Sequence, residues 1–141
     1  MISDELLLLL NLAKVQSVIS RKFDSLSAHG LGFSDWVILY LLYRAPEHKM
    51  RRIDLADKIG LTASGVTRLL GPMEKTGLVT RETNERDARV SYVVLTATGE
   101  RVFKEAKATA EYTAKDILPV KKSKPLRAVA ELLYELGGNI K

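Results

Sequence analysis

Ser64, Gly65, Thr67 and Arg68 crowd into one stretch, TASGVTRLLGPMEKTGLV (residues 62–79), and Arg86, Asp87 and Arg89 into or beside the polar tip NERDA (residues 84–88). Hydroxyls can donate to phosphates or base edges, a glycine lets the backbone approach a surface closely, and an arginine can grip guanine O6 and N7 with two hydrogen bonds. A carboxylate between two arginines can hold one guanidinium by a bidentate pair. An arginine at a protruding tip also suits the narrow minor groove of A/T-rich DNA, where the negative potential is enhanced. Grouped in this way they suit the binding of a nucleic acid. Taken without its surroundings, the tip is equally a solvated charge cluster of little energetic weight.

Bond-making chemistry finds little support elsewhere. Cysteine is absent, which removes disulfides, thiolate metal sites, cysteine nucleophiles and thiol redox sensing together. His29 and His48 are the only histidines, neither is spaced with a carboxylate as a metal pair, and no glycine-rich phosphate loop or nucleophile elbow is present. An enzyme is therefore not expected, nor is a cofactor or metal. The formal charge of +5 over 141 residues suits a polyanionic partner. The basic excess is shared between residues 44–89 and residues 90–141, so net charge does not locate a binding face.

The elements that must position these groups are legible from periodicity. Leu8, Leu12, Val15, Ile19, Phe23 and Leu26 recur at three- and four-residue steps, predicting a helix over residues 3–28. Leu6, Leu7, Leu9 and Leu10 make its first half apolar all round, and a helix of that kind needs cover on every side, from its own core or from a second subunit. A second helix is expected over 35–45, with Ser34 as cap, Phe33 and Ile38 as a hydrophobic staple, and Pro46 as stop. MRRIDLADKIG is expected to pack Ile53, Leu55, Ala56 and Ile59, and residues 62–75 form a fourth helix. After Gly77 the period becomes two, so LVTRET and RVSYVVLT form a hairpin around NERDA. Thr96 caps a helix reaching about Leu118, with Phe103, Ala106, Ala110, Thr113 and Ile117 on one stripe. Pro119 ends it, KKSK links, and Leu126, Val129, Ala130, Leu133 and Leu136 mark a last helix.

Ala56, Gly60 and Val66 supply the small contact, the turn residue and the apolar anchor that two steeply crossing helices need. On a helical wheel, Ala63, Val66, Leu69, Leu70 and Met73 form the core arc of residues 62–75; Ser64, Gly65, Arg68, Gly71, Pro72 and Lys75 gather opposite, with Thr67 at the margin. Pro72 deprives the Arg68 carbonyl of a donor, a defect of about 3 kcal/mol inside an ideal helix. It is read as a harmless solvent-side kink, the alternative being a bend that aims the following strand. The fold expected is mainly α (α+β): a winged helix-turn-helix in the order α1-α2-α3-α4-β-wing-β-α5-α6. Residues 34–96 would be the DNA-binding region of one domain, residues 1–33 and 97–141 its dimerisation helices.

With LADKIGLTASGVTRLL, MEKTGLVTRE and RDARVSYVVLTATG in place, nearly the whole chain resembles the MarR (multiple-antibiotic-resistance regulator) family of winged-helix transcription regulators. The last segment holds the family's Asp-x-Arg wing motif as Asp87 and Arg89; the family's frequent Asp-Pro is replaced by Asn84 and Glu85. The resemblance implies a homodimer on double-stranded DNA, with recognition helices in successive major grooves and wing tips in the flanking minor grooves. It also implies that Ser64, Thr67 and Arg68 contact the major groove, that Arg86 contacts the minor groove, and that Asp87 orients Arg89. In relatives, small aromatic or phenolic effectors sit between the dimer helices and the winged helix, and His29, Trp36, Tyr40 and Tyr43 could line such a crevice here. The same aromatics are also plain core composition.

The function expected is a DNA-binding transcriptional regulator, a repressor released by such an effector. The alternative is a ligand-independent architectural or protein-interaction module. Asp4 and Glu5 stand where a signal peptide would be basic, and no stretch approaches the roughly 20 apolar residues of a membrane span, so the expectation is a cytoplasmic protein without a membrane partner.

Overall fold

A computed structural model describes residues 1–118 and 123–141, with the side chains of Ser123 and Lys124 left aside. The helices are α1 (Asp4–Lys22), α2 (Phe33–Arg44), α3 (Arg52–Ile59), α4 (Ala63–Lys75), α5 (Ala97–Ile117) and α6 (Ser123–Glu135). Three strands, β1 (Lys49–Arg51), β2 (Val79–Thr83) and β3 (Ser91–Leu95), form an antiparallel sheet in the order β1-β3-β2. The hairpin pairs Thr83 with Ser91 and Val79 with Leu95. The strand over 49–51 was not expected; three residues are too few to show a period, and only pairing with Tyr92, Val93 and Val94 makes them a strand.

The core is one cluster in which Leu26, Ile38, Leu39, Leu42, Leu55, Val66, Leu70, Val79 and Val93 are fully enclosed. Burial of each such side chain stabilises the fold by about 1.5–3 kcal/mol. The first helix ends earlier than its periodicity suggests, tightening into a 3-10 helix over Phe23–His29. A three-residue repeat brings Phe23 and Leu26 onto one edge, and both are buried. Ser25 and Thr113 then share a hydroxyl hydrogen bond of 2.7 Å, and His29 Nε2 meets Thr109 Oγ1 at 2.9 Å, tying this turn to α5.

Several expectations are corrected. Gly32, not Ser34, is the N-cap of α2, and the Asp35 carboxylate accepts from its backbone N–H at 2.8 Å. Phe33 therefore lies inside the helix and stacks on Phe23 at 4.1 Å instead of forming a staple. Ile53 is 63 % exposed, because α3 turns Arg52, Leu55, Ala56 and Ile59 inward at steps of three and four, leaving residue 53 to one side. Ala63 is exposed as well, since the first turn of α4 projects before the helix meets the core. Ser123 and Lys124 belong to α6 and not to a link; Pro119, Lys121 and Lys122 lie outside the described residues.

At the chain's two ends the apolar surface is left open. None of the residues of α1 is buried, Leu6 to Leu10 are 45–53 % exposed, and Leu126, Val129, Leu132, Leu133 and Leu136 are exposed too. Apolar exposure on that scale is unusual for a monomer. Among the described residues, no helix is long and apolar enough to cross a membrane.

The junction of sheet and α5 is closely packed. Thr96 Oγ1 accepts from the Gly99 N–H (2.9 Å) as N-cap and donates toward the carbonyls of Gly77 (2.6 Å) and Leu78 (3.0 Å). A Cβ on Gly99 would collide with the Leu78 carbonyl oxygen. Gly99→Ala is expected to lower the free energy of unfolding by about 1–3 kcal/mol through overpacking, read as an earlier midpoint in urea at unchanged slope.

Candidate nucleic-acid interface

α4 begins at Thr62, whose Oγ1 accepts from the Gly65 N–H at 3.0 Å. The crossing to α3 is made by Gly60, left-handed at φ 77°, whose N–H reaches back to the carbonyls of Ala56 and Asp57 while Leu61 N–H also returns to Ala56. Glycine adopts this conformation without a Cβ penalty. Ala56, small and 5 % exposed, sits at the contact as the spacing predicted.

Val66, Leu70 and Met73 are buried on one side of α4, and Leu69 is half-buried. Ser64, Thr67, Arg68, Pro72 and Lys75 are exposed on the other, with Gly65 and Gly71 half-exposed. The wheel and the structure thus agree on which side is bare. Gly65 has a reason inside the chain: a Cβ there would stand 3.2 Å from Thr62 Oγ1. Gly71 has none, because a Cβ would meet open space. The helix continues through Pro72 to Lys75, and Thr76 closes it with its N–H and hydroxyl both donating to the Pro72 carbonyl at 3.0 Å.

In the hairpin tip, Asn84 Oδ1 accepts from the N–H groups of Arg86 (2.8 Å) and Asp87 (3.3 Å). A turn of this kind uses a short side-chain oxygen in place of a backbone carbonyl, so Asn84 closes the tip without an aspartate. Asp87 Oδ1 and Oδ2 accept from Arg89 Nε (3.1 Å) and Nη2 (3.2 Å), the bidentate pair expected, and Oδ1 also takes the Arg89 N–H at 3.0 Å. Arg89's side-chain hydrogen bond, then its backbone N–H, hold the Asp87 carboxyl below its ordinary value of 3.8, against a small opposing effect of desolvation. Arg86 is exposed at the same tip.

Some of the cations near this face are paired within the chain. Lys49 is held by Glu82 and Glu47, Arg81 by Glu74, and Arg89 by Asp87. Among the described residues, Arg68, Lys75 and Arg86 have no such partner. Cations elsewhere, Arg51 and Lys58 of the β1–α3 region among them, are also without one, so it is exposure on the bare side of α4 and at the hairpin tip that sets Arg68, Lys75 and Arg86 together. Unanticipated are Arg52, Glu74 and Arg81: Arg52 Nη1 donates to Thr67 Oγ1 (3.1 Å), and Glu74 Oε1 lies 3.9 Å from Arg52 Nη2 while accepting from Arg81 Nε at 3.0 Å. A signal for Arg52 existed in its place at the head of the inward stripe with Leu55, Ala56 and Ile59.

Trp36, Tyr40 and Tyr43 gather around Phe103, with ring centroids 5.2, 6.1 and 4.9 Å from it. All three are half-buried and packed against the core. His29 does not join them, being bonded to Thr109. Two crevices of about 480 and 530 Å³ flank the α2–β1 connection, and neither is lined by any of these four residues. No group of three or more His, Cys, Asp or Glu side chains among the described residues could hold a metal.

Comparison with known proteins agrees with this geometry. A model of the MarR family matches residues 34–91. The uncharacterized HTH-type transcriptional regulator YdgJ of Bacillus subtilis (strain 168) is 30 % identical over 138 residues, 98 % of this chain and 82 % of its own length. The fold resembles that of Sco3205, a MarR family transcriptional regulator from Streptomyces coelicolor solved in complex with DNA, at TM-score 0.86 and 18 % identity, covering 96 % of this chain and 87 % of that one. It also resembles the organohalide-sensing transcriptional regulator RdhR-CbdbA1625 in its 2,4-dichlorophenol-bound form, at TM-score 0.84 and 20 % identity over 96 % of this chain and 80 % of that one.

The depressed Asp87 carboxyl has a testable sign. Because its pKa is lowered in the folded chain, the pairing with Arg89 contributes fully above the ordinary value and is lost as pH falls through the folded one. A carbon-detected NMR titration should place the Asp87 midpoint below 3.8, and Arg89→Ala should raise it. An unchanged midpoint in that variant would remove the pair.

Proposed function

The chain belongs to the MarR family, whose members are DNA-binding transcriptional regulators and not enzymes, and from this we propose that it is a homodimeric repressor of a pseudo-palindromic operator, released by a small aromatic or phenolic effector. The observation that carries the reading is the one-sided α4. Its apolar half is sealed into the core, and Arg68 stands unpaired and exposed on a half of small residues and hydroxyls. We place α4 in the major groove, with Ser64, Gly65, Thr67 and Arg68 facing it, and the hairpin tip with Arg86 in the adjacent minor groove. Asp87 holds Arg89 there, and residues 34–96 form the reading region.

The uncovered leucines of α1 and the apolar face of α6 support a second copy as their cover, residues 1–33 and 97–141 forming the interface. Two reading heads at a matched separation then address half-sites about one helical turn, or roughly 34 Å, apart. Release follows if an effector binds better to a dimer whose heads are wrongly spaced. The aromatic group of Trp36, Tyr40 and Tyr43 joins α2 to α5, between interface and reading region, and a similar fold has been solved with a dichlorophenol bound. His29 meets α5 through Thr109.

Footprinting on the DNA flanking the protein's own gene, with and without aromatic acids, tests the whole reading. Protection without sequence preference would move the assignment to an architectural module. Light scattering should give twice the chain mass, and a single-chain mass would end the dimer. Arg68→Ala is expected to cost about 1–3 kcal/mol and to relax preference at one base step, whereas equal loss on all sequences would assign it to phosphate. Arg86→Ala should instead weaken binding mainly where the flanks are A/T-rich.

A further inference from the structure

A threonine hydroxyl has one hydrogen to give and two lone pairs to receive with. In α4 the hydrogen of Thr67 is spent on the Ala63 carbonyl at 3.0 Å, one turn back. One lone pair is taken by Arg52 Nη1 at 3.1 Å. The hydroxyl therefore has no donor left for the acceptors that dominate the major groove, guanine N7 and O6, adenine N7 and thymine O4. Yet the residue is exposed on the bare side of the helix. What it still presents without prior commitment is its methyl and one lone pair, and the lone pair can serve only the fewer base-edge donors, adenine N6 and cytosine N4.

We infer that Thr67 reads a thymine through methyl-to-methyl contact and that Arg52 is the positioning residue that commits its hydroxyl inward. The inference rests on the DNA-binding reading of α4 and deepens it. Arg52 is unlike the arginines offered to solvent. It heads the inward stripe of α3, its side chain is 23 % exposed, and its Nε is buried with no partner, while Nη1 reaches the Thr67 hydroxyl. Its remaining end faces Glu74, which also holds Arg81 of β2 at 3.0 Å. One chain of contacts thus runs from α3 through Thr67 and Glu74 of α4 to the base of the hairpin. A guanidinium held by two partners, with its Nε already out of water, keeps the Thr67 hydroxyl in one orientation.

Three variants of the full-length protein separate the possibilities, each read as relative affinity for an operator set varied at every base step. Thr67→Val keeps a methyl and drops the hydroxyl; its thymine preference should stay within about twofold of wild type. Thr67→Ser keeps the hydroxyl and drops the methyl, and should lose roughly fivefold of that preference. The reverse ranking would overturn the inference and show the remaining lone pair accepting from adenine N6 or cytosine N4. Arg52→Gln should relax preference at the same step while leaving the slope of log affinity against log salt unchanged. A slope reduced by about one would instead make Arg52 a phosphate contact and remove its positioning role. Wild-type protein with no base preference at any step would bring down the DNA reading itself, an outcome distinct from wild-type preference that Thr67→Ser leaves intact.

Discussion

Burial of Val66, Leu70 and Met73 sets the rotation of α4 as well as its position. A helix cannot turn about its axis without pulling all three out of a packed core, at about 1.5–3 kcal/mol each. The opposite side is therefore held outward by the core, not by any contact of its own. That side can stay small, polar and cationic because its stability comes from elsewhere. The same anchoring brings Thr67 within reach of Arg52 and Glu74 within reach of Arg81, so the polar contacts on α4 are consequences of apolar ones.

The hairpin is tied to this arrangement from below and left unencumbered above. Thr96 and Gly99 lock its base to α5, Glu74 holds Arg81 on its outer strand, and Lys49 reaches Glu82 from β1. At the tip, Asn84 and Asp87 replace missing backbone partners with side-chain oxygens. A base tied by hydrogen bonds and a tip closed by Asn84 and Asp87 leave Arg86 exposed at the end of the hairpin. Regulation by a ligand, as proposed, would exploit the contrast between this tied middle and the exposed apolar ends of the chain.

Much of this was legible beforehand because amphipathic periodicity is a local property. Val66, Leu70 and Met73 at steps of four and three declare a buried stripe whatever they are buried against, and Thr96 and Gly60 declare a helix start and a turn through chemistry confined to a single turn. The bidentate Asp87–Arg89 pair is two residues apart and equally local. Misreadings arose where a local rule had two solutions: Ser34 and Gly32 both precede an apolar run, and Ile53 lies only one residue from the inward stripe.

The sequence by itself determined which segments are helix or hairpin, which side of α4 is bare, and that Arg68 and Arg86 lie on surfaces. Tertiary structure alone decided that β1 exists, that Gly99 must have no side chain, that the aromatics of α2 close around Phe103, and that the Thr67 hydroxyl is already committed. The reason is separation along the chain. Arg52 and Thr67 stand 15 residues apart, and Thr96 and Gly77 stand 19 apart, so no pattern within one element encodes their meeting. Only the packing of one buried face on another brings such groups to hydrogen-bonding distance.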